Sequence, residues 1–205
     1  MTQQNNLKVS AGINIMELAC IFFILASAYY LQFFHHDIPC PLCLLQRIGF
    51  LFIAFGLILN ISFGAKPLHY GLSMLGSLFT MIISTRQIFL HIAPGTGSYG
   101  PPLFGLHLYT WGFIAASGLM FINIILVVFY ESMAKHHIKH PTIVKSVGHL
   151  VFLLLFCIAT TNIVTTFMEC GLKECPSDPT KYKYVKKKIV KPASNHQLHS
   201  MFTLG

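Results

Sequence analysis

Apolar residues in this chain come in long blocks, not scattered among polar ones. Five blocks stand out: Ile13–Phe34, Leu44–Phe63, Leu68–Ile92, Leu108–Tyr130 and Val147–Met168. A hydrocarbon core about 30 Å thick takes roughly 20 mostly apolar helical residues to cross, and each block meets that length. The polar connections between them are short: His35–Cys43, Gly64–Pro67, Ala93–His107 and Glu131–Ser146. The pattern predicts an all-α integral membrane protein, one helical bundle over residues 1–168 followed by a basic external tail over 169–205. There is no internal repeat. Ala26-Ser27-Ala28 resembles a cleavage site, but the first apolar run exceeds the usual 7–15 residue signal core, so it reads as an uncleaved anchor.

Composition strengthens the membrane reading. Only 10% of the residues are charged and 54% are hydrophobic, whereas soluble domains carry about 25% charged residues. The formal net charge of +8 raises the question of nucleic acid, but the cations are not spread along a groove-sized surface. Seven lysines lie beyond residue 170, most of them within Lys181–Lys191. Such a run is a solvated tail or a contact for anionic lipid headgroups. Short loops rich in Lys and Arg stay cytoplasmic. Lys8, Lys66, Lys135, Lys139 and Lys145 share one side if the amino terminus is inside. Five crossings then place the loops before the second and fourth spans, and the tail, outside. The tail's own charge argues the other way, but the rule weakens beyond about 15 residues from a span.

Six cysteines are present. Cys20 and Cys157 lie mid-span among apolar neighbours and read as small hydrophobes. The other four form two pairs, Cys40-Pro-Leu-Cys43 and Cys170-Gly-Leu-Lys-Glu-Cys175. Both face outward on this topology, where disulfides persist. Thiols at a helix start are favoured as thiolates by free N–H groups and the helix dipole, so Cys40 and Cys43 are candidates for redox exchange. Cys43 would open the second span, and Cys40 would stand further into the aqueous loop. Spacing alone leaves two other readings open: a static disulfide, and a Zn or Cu site completed by His35 and His36. Arg47 lies one turn after Cys43 on the same face. An arginine just inside a span is costly unless it snorkels or finds a partner, and here it can stabilise a thiolate. Arg86 poses the same question on the third span, which ends outside near His91. His136, His137 and His140 fall in the cytoplasmic loop, away from the cysteines. Tyr109 and Trp111 read as an interfacial aromatic belt.

Three segments together resemble the disulfide bond formation protein B (DsbB) family. Cys40-Pro-Leu-Cys43-Leu-Leu-Gln-Arg47 is similar to its CxxC followed by arginine, Arg86-Gln87 to its third-span motif, and Pro102–Trp111 to the segment entering its fourth span. The resemblance covers about Ile13–Tyr130 and implies a four-helix bundle to which this chain adds a fifth span. It implies a thiol:quinone oxidoreductase of the bacterial inner membrane that uses ubiquinone or menaquinone. The implied partner is a DsbA-like periplasmic protein of thioredoxin fold. By the same resemblance Cys43 faces the quinone, Arg47 is its electrostatic partner and Cys40 is the exchange partner; Arg86 on the third span and His91 at its outer end are further candidates for the quinone site, though a lone interfacial histidine is more often incidental. The chain departs from the family at its second cysteine pair, which belongs in the loop between the third and fourth spans. That loop, Ala93–His107, holds none, and Cys170 and Cys175 in the tail are expected to replace it. The competing expectations are a structural staple in the tail, a reductase running in reverse, and a metal-handling protein.

Overall fold

The computed structural model describes residues 2–35, 38–93, 102–129, 142–172 and 175, with side chains from residue 9 onward and, in the last helix, from residue 150. His36, His136, His137, His140, Lys181–Lys191 and most of the loop 94–101 lie outside the described residues. The described residues form five helices: α1 (Thr2–Phe34), α2 (Pro41–Phe63), α3 (Pro67–Leu90), α4 (Leu108–Val128) and α5 (Thr142–Cys170). All five are long and apolar enough to cross a membrane. Four begin earlier than the apolar runs predict, at Thr2, Pro41, Pro67 and Thr142, because an apolar run marks the lipid-crossing part of a helix and not its polar first turns. Proline at a first helical position loses no intrahelical bond and is pre-set to helical φ, as at Pro41 and Pro67. The α2–α3 turn passes through Gly64 at φ 87°. Asn60 Oδ1 then accepts the Lys66 N–H at 3.2 Å and lies 3.2 Å from His69 Nδ1.

Burial runs opposite to that of a soluble protein. Phe23 is 75% exposed and Ile163 69%, while Ser73, Ser77, Thr80, Ser84 and Gln87 are all at 0%. Apolar side chains facing outward belong against lipid tails. The polar ones need partners inside the bundle, because the hydrocarbon offers none. Helix α2 is central and packs against α1, α3 and α5, while α3 also packs against α4. The apolar core follows α2, with Ile53 and Leu57 meeting Leu18, Ile21 and Leu25 of α1, Leu119 of α4 and Leu155 of α5.

Small residues set the α2–α3 approach. A Cβ on Gly76 would lie 2.7 Å from the Ile53 nitrogen, and one on Gly49 or Gly56 would run into Thr80 or Ser73. Without a hydrophobic drive between helices in lipid, such close backbone packing and interhelical hydrogen bonds hold bundles together. Ser73 Oγ donates across the seam to the Ile53 carbonyl at 3.1 Å. Helix α1 is tied in by polar contacts: Asn123 Nδ2 of α4 donates to Glu17 Oε1 at 3.0 Å, Asn14 Nδ2 to the Tyr70 hydroxyl at 3.2 Å, and the Tyr29 hydroxyl to the Ile158 carbonyl of α5 at 3.2 Å.

Candidate redox site

One end of the bundle gathers the start of α2 with the ends of α1, α3 and α5 and the start of α4. Cys40 and Cys43 are bonded there, their Cα atoms 5.1 Å apart. Cys40 is the N-cap of α2, and its Sγ accepts the Cys43 N–H at 3.1 Å. Capping turns the Cys40 sulfur back over the first helical turn, so Cys40 is buried and Cys43 half-buried. This differs from the expectation that Cys40 stands further into water and that Cys43 opens the span. From α3, Gln87 Nε2 donates to Cys40 Sγ at 3.1 Å and lies 3.5 Å from Cys43 Sγ. Gln46 Nε2 donates to Gln87 Oε1 at 2.9 Å, which fixes the Gln87 amide with its N–H toward the sulfurs.

One turn below, Arg47 is buried at 6% exposure. Its guanidinium donates to Gln32 Oε1 and, at 3.2 Å, to the Ala28 carbonyl, and its Cζ sits 4.6 Å over the Tyr29 ring. All of these partners are neutral and come from α1. On α5, Glu169 is buried, and neither of its carboxyl oxygens has a hydrogen-bond partner among the described residues. Cys40, Cys43 and Arg47 line a cavity of about 710 Å³ whose other walls are mostly apolar residues of α1 and α4, Tyr109 and Trp111 among them. Its rim is a tight turn in which Leu103 and Leu106 exchange backbone hydrogen bonds at 2.8 and 3.1 Å. Phe104 (φ 50°) and Gly105 (φ 78°) turn the corner, and Trp111 Nε1 donates to the Leu103 carbonyl at 2.9 Å.

The remaining candidates are placed as follows. Arg86 is exposed and does not line the cavity. His91 does not line it either, but its ring lies 5.6 Å from that of Tyr109, which does. Cys170 and Cys175 are bonded, with Cys170 buried as the last residue of α5 and Cys175 half-buried. Among the described residues no group of three His, Cys, Asp or Glu side chains is placed to hold a metal ion; His36 is outside them. Gln32, Gln46 and Glu169 were not singled out from sequence, and Gln87 entered only beside Arg86 in the third-span motif. One signal points to Gln87: polar residues recur at Ser73, Ser77, Thr80, Ser84 and Gln87. That spacing of four and three marks one helix face, the face a membrane helix turns inward.

Fold and site together define a multi-pass helical membrane protein with a bonded cysteine pair at one end of its bundle. Residues 11–99 match the family model of disulfide bond formation protein DsbB. It is similar to disulfide bond formation protein B of Cupriavidus metallidurans, 32% identical over 74 residues covering 36% of this chain and 46% of the relative. It is also similar to the protein of that name from Nitrosomonas eutropha, 39% identical over 77 residues covering 36% of this chain and 47% of the relative. The chain thus spans about half the length of the curated relatives it matches. No solved structure matches it. The family match covers α1–α3 with the Cys40–Cys43 pair and ends before α4 and α5.

Proposed function

We propose that the protein is a disulfide-generating thiol:quinone oxidoreductase of the bacterial inner membrane, with a DsbA-like dithiol protein as donor. The observation that carries this reading is the Cys40–Cys43 disulfide opening, beside Arg47, onto a largely apolar cavity walled by membrane-length helices. Ligand pockets run to about 300–1,000 Å³ with few polar groups, and a cavity of about 710 Å³ fits an aromatic headgroup. Cys43 and Arg47 would hold a quinone there, with Tyr109 and Trp111 on the facing wall. A bound quinone supplies an acceptor for two electrons and two protons, more oxidising than a dithiol.

The chain's own part is thiol–disulfide exchange. The half-buried Cys175 is the more open sulfur of the tail pair, so a donor thiolate attacks its Sγ, the Cys170–Cys175 bond breaks, and Cys170 leaves as a thiolate. A second donor thiol resolves the mixed disulfide and releases oxidised donor. A thiolate of the reduced tail pair then attacks the Cys40–Cys43 disulfide, and closing the tail disulfide leaves Cys40 and Cys43 reduced. Gln87 and the Cys43 N–H hold charge at Cys40 Sγ, and Arg47 holds charge at Cys43. DsbA-type donors sit near −120 mV, and about 30 mV equals 1.4 kcal/mol for a two-electron couple, so only a strongly oxidising acceptor can drain them.

The test is quinone reduction by purified protein supplied with reduced DsbA-like donor. Wild type should turn over, and Cys43→Ala should lose essentially all activity. Cys170→Ala separates an electron path through the tail, where activity is lost, from a tail that is only a staple, where it persists. Absence of turnover with ubiquinone and menaquinone alike, together with bound Zn or Cu in the purified protein, would favour metal handling instead.

A further inference from the structure

Helix α1 carries one acidic residue, Glu17, inside its membrane-length stretch Val9–Phe34. The helical rise puts it about 12 Å past Val9, where a charged carboxylate is costly. Glu17 and Asn14 are each 2% exposed, and Asn123 of α4 is wholly buried. Asn123 Nδ2 donates to Glu17 Oε1 at 3.0 Å and to the Leu119 carbonyl at 2.7 Å. The Leu119 carbonyl fixes which end of that amide is nitrogen. The atoms left over are all acceptors: Glu17 Oε2, Asn123 Oδ1 and Asn14 Oδ1 have no hydrogen-bond partner among the described residues. Asn14 lies one turn before Glu17 on the same face of α1, with its own Nδ2 committed to the Tyr70 hydroxyl at 3.2 Å. Buried acceptors without a donor are costly. A hard divalent cation takes about six or more oxygen ligands, more than these side chains supply. A single proton needs only one oxygen to hold it and one to receive its hydrogen bond.

We propose that Glu17 is an intramembrane proton-binding site, holding a proton taken from water on Oε2 and donating it to Asn123 Oδ1. A carboxylic acid and a primary amide then form a ring of two hydrogen bonds, N–H to Oε1 and O–H to Oδ1. The first of these is the 3.0 Å contact already present. Asn14 Oδ1, another acceptor on the same face, disfavours the carboxylate further. The site joins the two helices that wall the redox cavity. Glu17 lies six residues before Phe23 of α1, and Asn123 eight residues after Ala115 of α4, and Phe23 and Ala115 both line that cavity. Protonated, the pair ties one wall to the other; loss of the proton leaves facing acceptors and loosens α1 from α4. The titratable group at the cluster is Tyr70 of α3, hydrogen-bonded to Asn14 and Ser10, while its neighbour His69 turns to Asn60. Helix α4 has no charged residue or histidine, and Arg47 of α2 and Glu169 of α5 lie toward the cysteine ends of their helices. The proposal stands apart from the oxidase reading.

The test is the infrared carbonyl band of a protonated carboxyl. Full-length protein in lipid vesicles at pH 7, in sodium-free buffer, is compared with Glu17→Gln in water and in deuterium oxide. Wild type should show a protonated-carboxyl band that shifts down in deuterium oxide and is missing from Glu17→Gln. Asn123→Ala should move that band to higher frequency, and added sodium should leave it in place. Lack of any protonated band that depends on Glu17, its conversion to a carboxylate band by sodium, or an Asn123→Ala spectrum identical with wild type overturns the proposal. Thermal unfolding reads the tie between the helices. Glu17→Gln, whose amide repeats the two-bonded ring, should match wild type at pH 7 and lose the weakening that wild type shows at alkaline pH. Glu17→Ala should lower the folded-to-unfolded ratio by roughly three- to twentyfold, the range for intramembrane hydrogen bonds. Equal losses in Glu17→Gln and Glu17→Ala would mean that Glu17 acts as a carboxylate, and the proposal fails. Should Glu17→Gln not assemble, the band shift in Asn123→Ala decides alone.

Discussion

At the scale of single residues, one helical step separates a residue that reaches the disulfide from one that does not. Arg86 and Gln87 are neighbours, but successive residues on a helix point about 100° apart. Gln87 is wholly buried against Cys40, and Arg86 is exposed. Charge drew the sequence reading to Arg86, whereas the 73-77-80-84-87 stripe marks the inward face and carries Gln87. Cys40, Cys43 and Arg47 were legible from spacing because all three lie within two turns of one helix. Their neighbours Gln46 and Gln32 were not, since a lone amide does not announce what it will pack against. When the Cys40–Cys43 bond is attacked at Cys43, negative charge grows on Cys40 Sγ, and Gln87 donates to that atom. Hydrogen bonds to charged groups contribute about 1.5–3 kcal/mol, so Gln87→Leu should slow reduction of this disulfide by dithiothreitol roughly tenfold or more. Stopped-flow quenching with mass analysis of the Cys40–Cys43 peptide measures it, and an unchanged rate would show the amide to be a bystander.

At the scale of elements, the helices were readable because each must satisfy its own backbone in lipid, which leaves little choice beyond a long apolar run. How they pack was not readable, because lipid and neighbouring helices are equally apolar and hydrophobic pattern does not tell them apart. The α2–α3 seam is the clearest case. Gly76 and Gly71 share α3, but a Cβ on Gly76 meets the α2 backbone, whereas one on Gly71 meets nothing within 4 Å. Gly76→Val should prise α2 from α3 and destabilise the bundle by about 2 kcal/mol or more, within the range for overpacked interiors. Gly71→Ala should leave stability unchanged or raise it by up to about 1 kcal/mol, the gain in helix propensity. Thermal unfolding of the two variants in detergent reads both, and equal behaviour would contradict the seam. The α1–α4 tie is expected to be weaker. Asn123→Leu removes the donor to Glu17, and intramembrane hydrogen bonds average about 0.6 kcal/mol, reaching about 1.7.

At the scale of the whole molecule, five membrane-length helices crossing in turn bring the end of α5 to the same side as the start of α2. Both cysteine pairs therefore share one side, whichever side that is. The cations choose between the two. Lys66 sits in the α2–α3 turn at the opposite end from the cysteines, and Lys135 and Lys139 lie between α4 and α5. Short cation-bearing loops stay in the cytoplasm, which predicts that the cysteine end faces the periplasm, where disulfides persist. The basic tail is the one segment that disagrees, and it leaves from the cysteine end. A membrane-impermeant maleimide added to mildly reduced spheroplasts should label Cys175, the more open sulfur of its pair. In the same cells a Lys66→Cys variant should stay unlabelled at that position until the membrane is lysed. Labelling at position 66 in intact spheroplasts, with Cys175 protected, would invert the molecule and place both disulfides in a reducing compartment. In that orientation neither pair could serve a periplasmic donor, so this one experiment bears on topology and chemistry together.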